Sequence, residues 1–220
     1  FENANSGLVM DIADGKMADN TNVQQWASNG LDCQKWTLRA FGSGNYYWIR
    51  SQQNNSYALK AAGSKNGENV SIIGVKNSDG TYPVLDFSAF RSAYIGKATT
   101  DSEVGIRISG SNYTIKNLII QKAPDNGIQI KGSSAGNNTI ENCIVRYNND
   151  AGVQITGGAY SNTMRFVYSY RNCDVYTLGG NADGFAPKLG AGKGNVFYGS
   201  YSWEYSDDGW DSSDKNSLTY

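Results

Sequence analysis

From about residue 104 onward, short apolar runs alternate with polar turns in a recurring pattern. Val104-Gly-Ile-Arg-Ile108, Asn126-Gly-Ile-Gln-Ile130, Ala151-Gly-Val-Gln-Ile155, Asp183-Gly-Phe185 and Asp208-Gly-Trp210 return at intervals of 22 to 32 residues. Between them lie Tyr113-Thr-Ile-Lys-Asn-Leu-Ile119, Asn138-Thr-Ile-Glu-Asn-Cys-Ile144, Asn162-Thr-Met-Arg-Phe-Val167 and Asn195-Val-Phe-Tyr-Gly199. Each run reads as a short strand with period-two alternation, bounded by Gly or Asn turns. Three or four strands in every 22–25 residues predict the coil of a parallel β-helix. Like residues then stack along the axis, and Asn138, Asn162 and Asn195 are expected to form an amide ladder. The longer step from Gly152 to Gly184 predicts an inserted loop around Val175-Tyr-Thr-Leu-Gly-Gly180, of the kind that builds a groove wall.

The N-terminal part has another texture, and the join is expected between Gly74 and Pro83, where Asn77-Ser-Asp-Gly80 reads as a turn. The organisation predicted is therefore a module over 1–73 and a β-helix domain over 82–220. In the first, Asn5-Ser-Gly-Leu-Val-Met-Asp11 and Asn54-Asn-Ser-Tyr-Ala-Leu-Lys60 look like two copies of one hairpin unit. Asn22-Val-Gln-Gln-Trp26 and Asn69-Val-Ser-Ile-Ile73 follow them, giving a repeat of 47–49 residues. Asp11, Gln24, Trp26 and Gln34-Lys35-Trp36 resemble the Gln-x-Trp signature of ricin-type lectin domains, which implies a partial β-trefoil-like, carbohydrate-binding segment. In that resemblance Trp26 stacks on a sugar face while Asp11 and Gln24 bind its hydroxyls. The second copy carries Lys60, Ser71 and Ile73 at the corresponding positions and is not expected to bind sugar.

Composition agrees with an all-β chain: 26 Gly and 15 Tyr against 3 Pro in 220 residues favour many tight turns over helices. Lys+Arg 19 against Asp+Glu 20 leaves a net charge of −1, which points away from duplex nucleic acid or an anionic membrane as partner. No long apolar run suggests a membrane span. Cys33, Cys143 and Cys173 allow at most one disulfide and match no zinc motif. With Phe1 first and no signal peptide, the chain is expected to be a processed product or an excised fragment.

The register of the repeat gives the acids meaning. Aligning the repeat glycines places Asn126, Ala151, Asp183 and Asp208 in one column and Asp125, Asp150, Ala182 and Asp207 in its neighbour. Asp211 lies two residues beyond Gly209, where strand alternation returns its side chain to the same face. Rungs about 4.8 Å apart bring these carboxylates close enough to repel strongly unless a cation neutralises them. Hard oxygen donors in such a cluster suit Ca²⁺, so Asp183, Asp207, Asp208 and Asp211 are the expected metal ligands.

Asn181-Ala-Asp-Gly-Phe185 followed by Asp207-Asp-Gly-Trp-Asp211, with Gly194-Asn-Val-Phe-Tyr-Gly199 between, resembles the core of family 9 polysaccharide lyases. These are right-handed parallel β-helix pectate lyases, and the likeness covers roughly residues 82–220. It implies calcium-dependent β-elimination in polygalacturonate by a secreted, monomeric enzyme, with those four aspartates as calcium ligands. The family's base is a lysine expected beyond Tyr220, and Lys188, Lys193 and Lys215 do not match its position. Lys188 and Lys193 are instead expected to meet substrate carboxylates, and these 220 residues to carry the calcium site without the catalytic base.

Two other readings compete. A polygalacturonase-like hydrolase also uses Asp-rich turns, but the chain has no histidine to set beside its acids. A non-catalytic extracellular scaffold would use Ca²⁺ structurally and leave glycan recognition to the N-terminal module.

Overall fold

The computed structural model describes residues 7–19, 21–41, 46–54, 56–57, 70–77 and 79–213. Lys60 and Lys215 lie outside the described residues. The chain divides into two compact units, Phe1–Ser64 and Lys65–Tyr220.

In the first unit, Val9–Ile12 pairs antiparallel with Val23–Trp26, and Trp36–Phe41 with Tyr46–Ser51. The first hairpin puts Asp11 opposite Gln24 and Val9 opposite Trp26. Asp11 is buried, and Gln24 Nε2 donates to its Oδ1 at 3.0 Å while Gln34 Nε2 donates to its Oδ2 at 3.0 Å. Trp36 is tied by its indole N–H to the Met10 carbonyl at 2.9 Å, whereas Trp26 is 55% exposed.

The second unit is a stack of coils whose strands, among the described residues, pair in parallel, rung on rung. One sheet holds Ile106–Ile108, Ile128–Lys131, Val153–Thr156 and Phe185–Pro187. A second holds Val70–Ile73, Tyr113–Lys116, Thr139–Glu141, Thr163–Arg165 and Val196–Tyr198. The third holds Val84–Asp86, Ile119–Gln121, Ile144–Arg146, Tyr168–Tyr170 and Tyr201–Trp203. Each coil visits the second, third and first sheets in turn, the topology of a parallel β-helix. Val70–Ile73, expected at the end of the N-terminal module, pairs with Tyr113–Lys116 and so forms a rung of the first coil. The boundary therefore falls before Val70. Ser71 and Ile73 answer to β-helix register rather than to a second hairpin copy, because a strand of alternating apolar residues completes whichever sheet edge it meets.

Registers keep one side-chain set inside all the way along. Ile106, Ile128, Val153 and Phe185 align in the first sheet, as do Ile115, Ile140, Met164 and Phe197 in the second. Ile128, Val153, Phe185, Ile140 and Met164 are fully buried. The asparagine ladder forms as expected: Asn138 Nδ2 donates to Asn162 Oδ1, and Asn162 Nδ2 to Asn195 Oδ1, each at 2.9 Å. Each Oδ1 also accepts a main-chain N–H from the rung below, so the ladder satisfies turn amides that no strand can reach. A second ladder, Asn148 Nδ2 to Asn172 Oδ1 at 3.1 Å, lies at the corner after the third sheet.

The repeat glycines have a steric cause. A Cβ on Gly152 would sit 2.0 Å from Ser169 Oγ and 2.8 Å from the Gly184 carbonyl, and one on Gly184 would sit 1.7 Å from Ser202 Oγ. At this corner the first sheet presses against the third, and a hydrogen atom is all that fits. Gly152→Ala is expected to destabilise the β-helix by about 1–3 kcal/mol through overpacking. A urea-denaturation midpoint equal to that of the unaltered chain would contradict this packing account.

Candidate metal centre at the last two coils

The acidic cluster stands at the turn that feeds the first sheet. Main-chain bonds fix its register: Gly152 N–H donates to the Asp183 carbonyl, Gly184 N–H to that of Asp208, and Phe185 N–H to that of Gly209. Phe185 and Trp210 form a parallel bridge, and their rings stack with centroids 4.3 Å apart against Phe197. This aromatic packing sets the height of Asp208 over Asp183. The Asp208 N–H donates to Asp183 Oδ1 at 3.3 Å, and the Asn181 N–H donates to Asp207 Oδ2 at 2.7 Å.

Carboxylate oxygens of Asp183, Asp207 and Asp208 lie within 4.8 Å of one another. Asp183 is fully buried and the other two are exposed, so the group is anchored at its base and open to solvent above. Asp211 joins through a third party. Lys188, 8% exposed, donates from Nζ to Asp183 Oδ2 at 2.7 Å and to Asp211 Oδ2 at 2.8 Å. The four acids named from register are thus brought together, three directly and one through an ammonium. Their donor set, carboxylate oxygens on stacked turns, fits a hard divalent cation.

Lys188, expected to meet substrate carboxylates, meets two of the protein's own. Burial disfavours its charge, but the hydrogen bonds it donates to Asp183 and Asp211 outweigh that and raise its pKa above the ordinary lysine value. It is therefore a fixed cation at neutral pH. Burial pushes the Asp183 carboxyl upward, against the pull of Lys188. Lys193 is exposed on the turn into the second sheet, where its carbonyl accepts the Ser161 N–H.

A second acidic column runs beside the cluster. Burial, with Asp125 next to it, raises the Asp150 carboxyl to about 7, partly countered by the Ala151 N–H and Lys188. The inserted loop forms as expected: Asp174 accepts from Tyr176 N–H and Thr177 Oγ1, and Ser206 Oγ donates to the Gly179 carbonyl. Leu178 at its tip is 96% exposed. Sequence reasoning missed the inward turn of Lys188, which only its contacts with Asp183 and Asp211 reveal.

A parallel β-helix carrying stacked carboxylates at the turn into one sheet defines the class. The family model described as Pel9A-like, right handed beta helix region, matches residues 7–220, and the chain belongs to that family. It is 38% identical over 152 residues to the Pectate lyase L of Paenibacillus polymyxa (strain SC2), covering 66% of this chain and 32% of that protein. It is 34% identical over 137 residues to the Pectate lyase L of Dickeya chrysanthemi, covering 62% of this chain and 26% of that one. The crystal structure of pectate lyase Pel9A matches with a TM-score of 0.49 and 29% identity, over 68% of this chain and 39% of that chain. The chain thus spans about a third or less of the length of the curated relatives it matches.

Two outcomes are expected from this geometry. Lys188→Met leaves Asp183 buried without its cation and costs about 3 kcal/mol, the lower end for breaking a buried pair because Asp211 keeps some solvent. Added Ca²⁺ should restore more melting temperature in this variant than in the unaltered chain; equal shifts would mean that Lys188 and the ion do not share the cluster. For Asp150, the folded state holds its proton to about 7 while the unfolded chain releases it near 3.8. Stability from this group is present below that lower value and falls away as pH rises to about 7. Asp150→Asn should flatten the decline, as read from urea midpoints between pH 4 and 8 (roughly the window between ordinary and raised carboxyl values).

Proposed function

We propose that this chain supplies the calcium-binding part of a pectate lyase that cleaves polygalacturonate by β-elimination. The observation that carries this reading is the triple carboxylate cluster of Asp183, Asp207 and Asp208, with Asp211 beside it, on the turn of a β-helix whose relatives are named pectate lyases. Asp183, Asp207, Asp208 and Asp211 would hold Ca²⁺, whose charge would offset the substrate's C6 carboxylate and make the C5 proton easier to remove. The protein's own part is positional. Asp183, fully buried and hydrogen-bonded by the Asp208 N–H, holds the floor of the site, while Asp207 and Asp208 present oxygens to solvent where a polymer approaches. Lys188 donates to both Asp183 and Asp211 and balances charge between them. We place the proton acceptor outside residues 1–220, in the lysine expected beyond Tyr220.

The N-terminal unit is read as an accessory sugar contact. Trp26 presents an exposed indole on the hairpin that carries Asp11 and Gln24, which supports stacking on a pyranose face. The Asp11 oxygens are already engaged by Gln24, Gln34 and the Cys33 thiol, so the aromatic face is the stronger part of that contact.

Calorimetric titration of residues 1–220 is expected to show one Ca²⁺ bound, with affinity lowered at least tenfold in Asp208→Asn. Incubation with polygalacturonate and Ca²⁺ is expected to give no ultraviolet absorbance from unsaturated product. Calcium-dependent absorbance growth would overturn the assignment of the base, and unchanged affinity in Asp208→Asn would overturn the metal centre.

A further inference from the structure

The outer face of the first sheet carries a straight line of positions running away from the metal cluster. In register these are Arg107, Gln129, Gln154 and Ala186, and the bridge of Phe185 to Trp210 extends the line to Asp211. Gln129 Nε2 donates to Gln154 Oε1 at 2.9 Å, linking adjacent rungs. At the far end, the turn after Thr100 brings Asp101 onto this face. Its Oδ1 accepts from Gln129 Nε2 at 3.0 Å, its Oδ2 takes Lys131 Nζ, and Arg107 Nη1 lies 3.7 Å from the same oxygen. Two cations and an amide therefore converge on one carboxylate, three rungs or about 14 Å from the row of Asp211 at about 4.8 Å per rung. Gln129 is 2% exposed, and its Oε1 has no hydrogen-bond partner among the described residues, an acceptor left for a hydroxyl.

We propose that Arg107, Gln129 and Lys131 form a uronate subsite, and that Asp101 fills it as an internal stand-in until a carboxylate of the substrate displaces it. The inference rests on the polyuronate reading above. Three features make the exchange feasible. One carboxylate replaces another, so the charge of the subsite is unchanged. Asp101 keeps about a third of its side chain in water (37% exposed), so releasing it to solvent costs little. The turn itself is held without that side chain: Thr99 Oγ1 donates to Asp125 Oδ2, and Thr100 N–H and Oγ1 both donate to Glu103 Oε2. Rotation of one side chain then opens the subsite while the backbone stays. The hydrogen bonds from Lys131 and Gln129 also hold the Asp101 carboxyl below its ordinary value against the effect of burial, as they would a uronate. A methyl-esterified or neutral sugar cannot take both cations, so the subsite selects for free acid.

The test is calorimetric titration of trigalacturonate and of neutral galactotriose into residues 1–220 with saturating Ca²⁺. Asp101→Ala is expected to tighten trigalacturonate on the order of tenfold by removing the internal competitor, and to leave galactotriose unchanged. Adding Arg107→Ala and Lys131→Ala to that variant should abolish the gain. Asp101→Asn, which keeps the shape and removes the charge, serves the same comparison if Asp101→Ala melts early. Unchanged trigalacturonate affinity in both variants, or a gain that survives loss of both cations, overturns the subsite alone when the unaltered chain still binds. Absence of calcium-dependent trigalacturonate binding in every form overturns the functional reading with it.

Discussion

Everything in the second unit depends on one constraint, the in-register parallel stacking of each coil on the last. A rung donates and accepts main-chain hydrogen bonds with rungs above and below, and its strands are too short to be stable alone. Any residue that must be the same in every coil is therefore dictated by its neighbours along the axis. The glycines at the turn into the first sheet allow that sheet to approach the third within contact distance of Ser169 and Ser202. The asparagine ladders satisfy the turn amides between sheets, where the strand pattern ends. Remove either device and the coils lose the vertical alignment on which the site is built.

The acidic cluster is a by-product of that alignment. Asp183 and Asp208 occupy equivalent positions in successive coils, and the Phe185–Trp210 stack beneath them fixes their separation. Burial of Asp183 makes its charge expensive, and Lys188, just past the far end of the strand Phe185–Pro187, offsets the cost. The arrangement is half closed: an internal cation holds Asp183 and Asp211, while Asp207 and Asp208 face solvent with spare oxygen donors. The same logic recurs at Asp101, where Lys131, Arg107 and Gln129 meet a carboxylate supplied by the chain itself. Acid and base are thus paired at both ends of one face.

Much of this is legible in the sequence. Period-two runs separated by Gly and Asn turns identify the coils, because every strand must turn alternate residues inward and every corner must spare a hydrogen-bonding amide. The spacing of Gly184 and Gly209 places Asp183, Asp207 and Asp208 together for the same reason, and the predicted ladder of Asn138, Asn162 and Asn195 forms. The strand Val70–Ile73 lies on the β-helix side of the join and not on the expected side, because four alternating residues carry no mark of which sheet they complete.

The sequence by itself determined the repeat, its register and hence the meeting of the acids, since stacking turns sequence spacing directly into distance. Tertiary structure alone decided which partner each charged side chain takes. Lys188 folds back onto Asp183 and Asp211 instead of facing outward, and Asp101 crosses from a turn of the first coil to residues on two rungs of the first sheet. Long side chains choose among several neighbours by burial and local charge, and neither quantity exists until the coils have closed around them.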